Sequence, residues 1–480
     1  MREAFARTGF TAPALADTIA IHNPGETMDL PLVLLRTEEP TDYNALVHLF
    51  VLAQAVTEDR ARLALCPMPL EPFFDCNLLQ RSAEGIRSIV KLVPYDKFYF
   101  ASDFSHRDRH ETLPPDFVLG VGPASVSLAS LTVRRPVETV FDLGAGAGVQ
   151  SILAAGHARR IIGTDTNPRA LNFAAFNARL NAVDNIEWRA GSFFEPVNTE
   201  RFDLVVANPP FVISPESSLL YRDGGGEGDA VSEHVARGAA QRLSEGGFAS
   251  MLINWHHKNG EDWSERPRRW LEGNGCDSWL IRFTETDPLI YAANWLRQTE
   301  SHDPPRYSRL LGQWTDYYRQ SGIGRISGGA IILRKRSDGP NWTRHDSMQN
   351  TQAAGPCSDH ILRIFAAEDF LQKIGNDEHL LDARVQPHPD LAVEQQIHLH
   401  EGGWNIRELT VSLSGGFPFR GHADVHVLKL LTHVAAQRTV REAIQNLAQE
   451  ANTEASALTP TCLSVLKTLI RCGMAVPGGG

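Results

Sequence analysis

Residues whose types and spacing suit chemistry concentrate between positions 140 and 211. Val140-Phe141-Asp142-Leu143-Gly144-Ala145-Gly146-Ala147-Gly148 joins an apolar run to alternating glycines, with a carboxylate at the junction. Ile161-Ile162-Gly163-Thr164-Asp165 puts a second carboxylate after a second apolar run. Val205-Val206-Ala207-Asn208-Pro209-Pro210-Phe211 ends another run on a primary amide, two prolines and an aromatic ring. Read together, these pieces predict a nucleotide-like cofactor held at the ends of parallel strands, beside a rigid loop shaped for a planar nitrogen.

A glycine turn between strand and helix lets a ligand approach the backbone, and the helix start presents free N–H groups. A dinucleotide fingerprint, Gly-x-Gly-x-x-Gly, would need its third glycine at position 149. That residue is Val149, and the third glycine is Gly148. Asp142 would repel a pyrophosphate and attract an ammonium group. A nicotinamide oxidoreductase is therefore disfavoured. The cofactor-binding set read here is Asp142, Gly144, Gly146, Gly148, Asp165, Thr166, Ser192, Phe193 and Asn208. Asp165 follows its strand about 20 residues after the loop, where a carboxylate accepts both hydroxyls of a ribose. Asn167 is available to cap the following helix, which leaves Asp165 for a ligand. Gly191-Ser192-Phe193, after the next strand, is placed to flank an adenine ring, although Phe193 also suits a core.

Consecutive prolines end a strand and fix φ, and the residue before each is held extended. The carbonyls of Asn208 and Pro209 then point in set directions, and neither proline supplies a competing N–H. Two acceptors aimed at one point suit an NH₂ on a planar carbon, either an amide or an exocyclic base amine. The lone pair of such a nitrogen is delocalised and is a poor nucleophile. Accepting its hydrogens localises charge on nitrogen, an effect of about 3–4 kcal/mol per hydrogen bond. Phe211 offers a face for the planar group to stack on. Asn208, Pro209, Pro210 and Phe211 are the candidate catalytic residues.

Apolar runs at 139–143, 160–164, 186–189, 204–207, 248–254, 279–284 and 330–334 alternate with helical patterns between about 115 and 336. That alternation predicts a parallel sheet covered on both faces. Asn167-Pro168 opens the clearest helix, over 167–181, with proline at its first position. Ahead of it, residues 1–114 predict helices over 42–56 and 70–79. A β-hairpin over 89–100 turns at Pro94-Tyr95-Asp96, giving a small α+β accessory domain. Residues 337–358 are polar and broken, and read as a linker. Residues 359–480 predict strands at 395–399 and 409–413, then helices over 424–434, 439–451 and 460–472. Thr439 to Glu442 has the pattern of a capping box.

The chain has 480 residues, more than one ordinary core. Its net charge of -11 excludes bulk electrostatic attraction to nucleic acid, though not a local basic groove. The six cysteines form no Cys-x-x-Cys pair, which fits neither a zinc site nor a disulfide framework. Isolated thiols, no secretory signal and no run of about 18 apolar residues make a cytoplasmic location the default. His398 with His400, and His422 with His426, have spacings that would place each pair on one face. No Cys or His-Glu-x-x-His pattern accompanies them, so no metal is assigned. His256-His257 is placed to line a substrate pocket or a solvated loop, and Trp255 and Trp295 to form core or pocket wall.

Asp142-Leu-Gly144-Ala-Gly146-Ala-Gly148, Asp165 and Asn208-Pro-Pro-Phe211 resemble the class I S-adenosylmethionine-dependent methyltransferases with a methyltransferase small domain. That family includes protein-glutamine N5-methyltransferases and N-methyltransferases of ribosomal RNA and DNA bases. The resemblance spans roughly residues 115–336. It implies an α/β fold with a Rossmann-like seven-stranded sheet whose last strand is antiparallel. It also implies methionine at Asp142 and Gly144, ribose at Asp165, and the target nitrogen against Asn208 and Pro209. Tyr221-Arg-Asp223-Gly224-Gly225-Gly226-Glu227-Gly228-Asp229 resembles the Asp-Gly-Gly loop of the glutamine methyltransferases, and its glycine content suits a moving lid. The flanks do not match those enzymes. The C-terminal helices resemble a winged-helix-like module of peptide-modifying pathways.

The leading expectation is an S-adenosylmethionine-dependent N-methyltransferase acting on a protein or peptide amide of glutamine type. A nucleic-acid base, adenine N6 or guanine N2, is the alternative acceptor. A non-catalytic cofactor-binding module is the alternative of another class. No membrane partner is expected, and the oligomeric state is open.

Overall fold

The computed structural model describes residues 1–20, 28–105, 113–348, 355–400 and 402–478, without the side chains of His400 and Asn405. The expected pairing of His398 with His400 falls outside that description. The chain forms two compact units, Met1–Ala129 with Arg135–Asn350, and Ser130–Arg134 with Thr351–Gly480.

The first unit opens with helices α1 (Arg2–Thr8), α2 (Ala12–Ile19), α3 (Leu30–Arg36), α4 (Asp42–Phe50), α5 (Glu58–Leu65) and α6 (Glu71–Asp75). The Thr41 hydroxyl caps α4, accepting from Asn44 N–H at 3.1 Å. That helix stops short of the expected 56, and Ala53 turns the chain at φ 56°. Two hairpins follow, β1 (Leu79–Ser82) with β2 (Gly85–Ser88) and β3 (Lys91–Tyr95) with β4 (Phe98–Ser102). Asp96 at φ 53° makes the tight turn of the second hairpin.

The large sheet is built from β5 (Val137–Leu143), β6 (Ala158–Asp165), β7 (Ile186–Ala190), β8 (Phe202–Ala207), β9 (Leu243–His257), β10 (Cys276–Thr286), β11 (Arg325–Lys335) and β12 (Thr343–Ser347). Its order is β12-β10-β11-β9-β8-β5-β6-β7. Seven of these strands coincide with the seven expected apolar runs. β11, the last of the seven, is antiparallel to β9 and β10, as expected. The eighth strand, β12, is added at the edge, parallel to β10, within the stretch read as a linker. Helices α7 (Pro123–Leu131), α8 (Val149–Ala154), α9 (Pro168–Leu180), α10 (Ala230–Arg242), α11 (Glu265–Leu271), α12 (Pro288–Glu300) and α13 (Pro304–Gln320) accompany the sheet. Val235, Ala236, Ala239 and Ala240 of α10 pack on Phe141, Leu143, Phe202 and Val205 in one buried cluster. After β7 the chain returns to the other side of β5 as β8, which makes a topological switch point between β5 and β8.

Helix α9 also carries the N-terminal part. Asn177 accepts from Ala101 N–H at 2.7 Å and donates to Ala101 C=O at 2.9 Å. Asn181, one turn on, does the same with Tyr99 at 2.9 and 2.7 Å. Two carboxamides at i,i+4 thus satisfy the exposed edge of β4 as a neighbouring strand would. Arg169 pairs with Asp103 beside them. The residues on either side of position 114 accordingly belong to one compact unit.

The second unit contains α14 (Ser358–Ile374), α15 (Asp377–Asp382), β13 (Val385–Pro387), β14 (Leu391–His400), β15 (Gly403–Leu413), β16 (Arg420–His422), α16 (Val425–Ala435), α17 (Val440–Glu450), α18 (Ala455–Arg471) and β17 (Ala475–Pro477). The expected strands at 395–399 and 409–413 are the arms of one long hairpin that precedes the three expected helices. The capping box at Thr439 and Glu442 is formed. Helix α18 starts earlier than expected, at Ala455, with Pro460 inside it. His422 lies on β16 and pairs with Glu408 at 3.2 Å, so it does not share a helix face with His426.

Among the described residues, no group of His, Cys, Asp and Glu could hold a metal ion. None of the described helices is long and apolar enough to cross a membrane.

Candidate active site

β5 delivers Asp142 to the switch point fully buried, at 1% exposure. One carboxylate oxygen accepts from Ser151 N–H at 2.9 Å and from the Ser151 hydroxyl at 2.7 Å. Burial pushes the Asp142 carboxyl up to about 6 against the pull of those two hydrogen bonds. The glycine turn follows. Gly144 and Ala145 both donate to Thr164 C=O, at 3.0 and 2.8 Å, which ties the loop to the end of β6. Gly146 N–H donates to Asp165 at 2.9 Å, and Asn167 N–H to the other Asp165 oxygen at 2.8 Å. With Thr166, three backbone N–H groups bond to a carboxylate that has about four acceptor positions, which leaves room for a ligand. Burial raises the Asp165 carboxyl above its ordinary value.

Gly148 plays a different part from Gly144 and Gly146. It sits at φ 80°, and a Cβ there would lie 3.1 Å from both Ala174 Cβ and the Trp188 ring. It lets α8 start close against α9 and does not line the cavity. Gly148→Val is expected to lower stability by about 2–4 kcal/mol, through backbone strain and overpacking. Urea denaturation of the variant measures this, and unchanged stability would remove the packing role.

A cavity of about 250 Å³ opens at the switch point. Asp142, Gly144, Gly146, Asp165, Thr166, Ser192, Phe193, Asn208 and Pro210 all line it, so the structure gathers most of the expected site residues in one place. Pro209 is buried beside it, and Phe211 packs instead on the cluster of Val212, Ile213 and Trp314. Sequence reading missed the opposite wall. Phe117, Val118 and Leu119 line the cavity together with Gln150, Tyr221, Asp223 and Gly224. The rings of Phe117 and Tyr221 lie 5.4 Å apart at 58°, and Leu220 N–H donates to Pro115 C=O at 3.1 Å. Pro114 and Pro115 stand where the accessory domain was expected to end, and nothing in their pattern announces a wall.

At the end of β8, a Cβ on Gly144 would lie 4.0 Å from the Asn208 carbonyl oxygen. That carbonyl therefore lies beside the glycine turn, and Gly144 and Asn208 both line the cavity. Phe211 then bridges Asp223, and Val212 N–H donates to Arg222 C=O at 3.3 Å. Asp223 is buried and accepts from Ser214, Ser218, Leu219 and Arg222. At the other end of the loop, buried Asp229 pairs with Arg266 at 2.6 Å and accepts from His256 N–H at 3.2 Å. The stretch read as a glycine-rich lid is thus anchored at both aspartates, with only residues 224–228 between the anchors. His256 and His257 line a separate polar cavity with Lys258 and Arg266. Trp255 is core, and Trp295 packs near Tyr291.

The methyltransferase small domain family matches residues 121–262, the stretch that contains the glycine turn, Asp165 and Asn208-Pro209-Pro210. The release factor glutamine methyltransferase of Cereibacter sphaeroides is 32% identical over 216 residues, covering 41% of this chain and 73% of its own length. The chain belongs to the S-adenosylmethionine-dependent methyltransferases with a methyltransferase small domain. The release factor glutamine methyltransferase of Aliivibrio fischeri is 28% identical, over 31% of this chain and 55% of its own. The ribosomal protein uL3 glutamine methyltransferase of Bradyrhizobium diazoefficiens is 31% identical, over 28% of this chain and 47% of its own. The chain thus spans about half to three quarters of the length of these relatives. Residues 363–477 match a separate family described only as a domain of unknown function.

The cavity fits the cofactor of this methyltransferase. Asp142 and Asp165 are carboxylates suited to an ammonium and to hydroxyl donors, and among the described residues no Lys, Arg or His lines the cavity to receive a phosphate. Gly146 leaves open space where a side chain would stand. Asp165→Ala is expected to weaken S-adenosylmethionine binding about 10–100-fold, since hydrogen bonds to a charged acceptor are worth about 1.5–3 kcal/mol each. Titration calorimetry measures this. An unchanged dissociation constant would take Asp165 out of the site.

Proposed function

We propose that this methyltransferase transfers the methyl group to the side-chain amide nitrogen of a glutamine in a protein or peptide. The observation that carries the reading is the Asn208-Pro209-Pro210 turn at the end of β8, its first carbonyl beside the glycine turn at a cavity that, among the described residues, is lined by three aspartates and no cation. When bound, S-adenosylmethionine supplies an electrophilic methyl. Asn208 and Pro209 accept the N–H groups of the planar amide through their oxygens, which raises the electron density on nitrogen as it attacks. The prolines hold those acceptors still, so little reorganisation remains for the transition state. Asp142, Asp165, Thr166, Ser192 and Phe193 hold the cofactor around the glycine turn. Phe117 and Tyr221 supply the aromatic wall for the planar group, in place of Phe211.

The charge of the described lining residues favours an amide over a nucleic-acid base, because a polynucleotide acceptor brings phosphates that call for Lys and Arg. The names of the relatives, enzymes of release factors and of a ribosomal protein, support the same choice. The test is incubation of tritiated S-adenosylmethionine with enzyme and cell extract, followed by protease or nuclease. Protease-sensitive, nuclease-resistant label is expected. Nuclease-sensitive label would replace the protein acceptor by a base.

A further inference from the structure

Strands β10 and β11 are antiparallel neighbours whose pairing runs out to Thr286 and Ile326. Two residues suffice to close such a pair. Instead residues 287–324 intervene and form α12 and α13, capped by Asp287 and Asp303. This pair of helices buries Tyr291, Leu310, Trp314 and Tyr318 against Val212 and Ile213, directly after the Asn-Pro-Pro-Phe turn. The Tyr291 oxygen accepts from Ile213 N–H at 3.2 Å and from Asn254 at 2.7 Å. The Tyr318 hydroxyl donates to Ile213 C=O at 2.8 Å. Both backbone groups of Ile213 therefore end on the insertion.

The same helices hold the neighbouring strap. The Tyr317 oxygen accepts from Gly228 N–H at 2.8 Å. Trp314 donates to Glu216 at 3.3 Å, and its ring lies 5.4 Å from the buried Arg222 guanidinium that pairs with Asp223.

Pro209 and Pro210 have fixed φ, and Asn208 and Pro209 each precede a proline. A segment so stiff transmits an orientation imposed at Ile213 to the Asn208 carbonyl. We propose that the two-helix insertion sets the acceptor seat of this methyltransferase, with Tyr291 and Tyr318 as positioning residues for the Asn208–Phe211 turn and Tyr317 for the 224–228 strap. The inference rests on the reading of Asn208 and Pro209 as acceptors for the target nitrogen.

The test compares Tyr318→Phe, which keeps the ring and removes one hydroxyl, with Leu310→Ala, which loosens the same cluster and leaves every hydrogen bond to Ile213 and Gly228 in place. The full-length enzyme is assayed with tritiated S-adenosylmethionine on nuclease-treated extract protein. Tyr318→Phe is expected to lower the maximal rate about 10–100-fold with the KM for S-adenosylmethionine kept within about twofold. Hydrogen exchange is expected to quicken in peptides covering residues 211–213 and to stay unchanged at 140–150. Leu310→Ala is expected to lower Tm and keep the rate. A wild-type rate and unchanged exchange in Tyr318→Phe would overturn the proposal. So would equal loss of rate in Leu310→Ala, which would mark the cluster as merely structural. If the wild-type enzyme labels no protein, the acceptor reading fails. Exchange then decides the positioning role alone: quickened exchange upholds it and unchanged exchange ends it.

Discussion

Asn208→Ala is expected to lower the maximal rate of methyl transfer about 10²–10³-fold, the range seen when one preorganised hydrogen-bond partner is removed from a transition state. The cofactor affinity is expected to stay within about threefold, because Asp142, Asp165 and the glycine turn remain in place. Asn208 sits just after β8 with its carbonyl oxygen beside Gly144, and its two following prolines have no N–H to compete for an acceptor. Alanine keeps the backbone carbonyl and deletes the side-chain oxygen, so the loss measures that oxygen together with any loosening of the turn. Single-turnover label transfer and titration calorimetry on the same preparation separate the two quantities. An active variant would remove the side chain from the mechanism, and a large loss of affinity would make Asn208 a cofactor ligand first.

The second large effect concerns Asp142. Its carboxyl is pushed up to about 6 from an ordinary 3.8 by burial. A raised folded-state value means that ionisation opposes folding: the penalty is absent below about 3.8 and fully present above about 6. By linkage it amounts to about 2–3 kcal/mol at neutral pH. Asp142→Asn is therefore expected to stabilise the cofactor-free protein by up to that amount at pH 8 and to change it little at pH 4. The amide oxygen still accepts from Ser151, so the local hydrogen bonds persist. Cofactor binding is expected to move the other way. A buried charge held at this cost is suited to a cationic ligand, so wild-type affinity should fall as pH drops through about 6. The Asn variant should bind about 10–100-fold more weakly at pH 8, with little pH dependence between 5 and 7. Urea denaturation and calorimetry across pH check both halves. A destabilised variant at pH 8 would contradict the assignment.

The sheet was legible in the chain because its strands are short apolar runs ending on punctuating residues: Asp142 and Gly144, Asp165, Asn208 and Pro209. β12 was not. Its Thr-Arg-His-Asp-Ser sequence alternates polar residues, and it is held at one edge by β10 with Asp346 accepting from Trp279 at 2.6 Å. That contact joins residues far apart in sequence. The cofactor side of the site was legible for the same reason as the strands, since each carboxylate follows its own apolar run. The acceptor side was only half legible. Asn208 and Pro210 reach the cavity as expected, but Phe211 turns to the Trp314 cluster, and Phe117 and Tyr221 arrive from loops without periodicity. The glycine count of residues 224–228 suggested a lid; the anchoring partners Arg266 and Tyr317 are distant in sequence and leave no local mark.

The most direct test of the central claim is the chemical form of the transferred methyl. Labelled protein from the tritiated S-adenosylmethionine reaction is purified free of nucleic acid and hydrolysed completely in acid. An N-methyl amide breaks at its C–N bond under those conditions and releases methylamine. The expected result is label recovered as methylamine, volatile once the hydrolysate is made alkaline, and lost when Asn208 is replaced. Label that stays on a non-volatile amino acid, or that is found only in the nucleic-acid fraction, would contradict transfer to a glutamine amide.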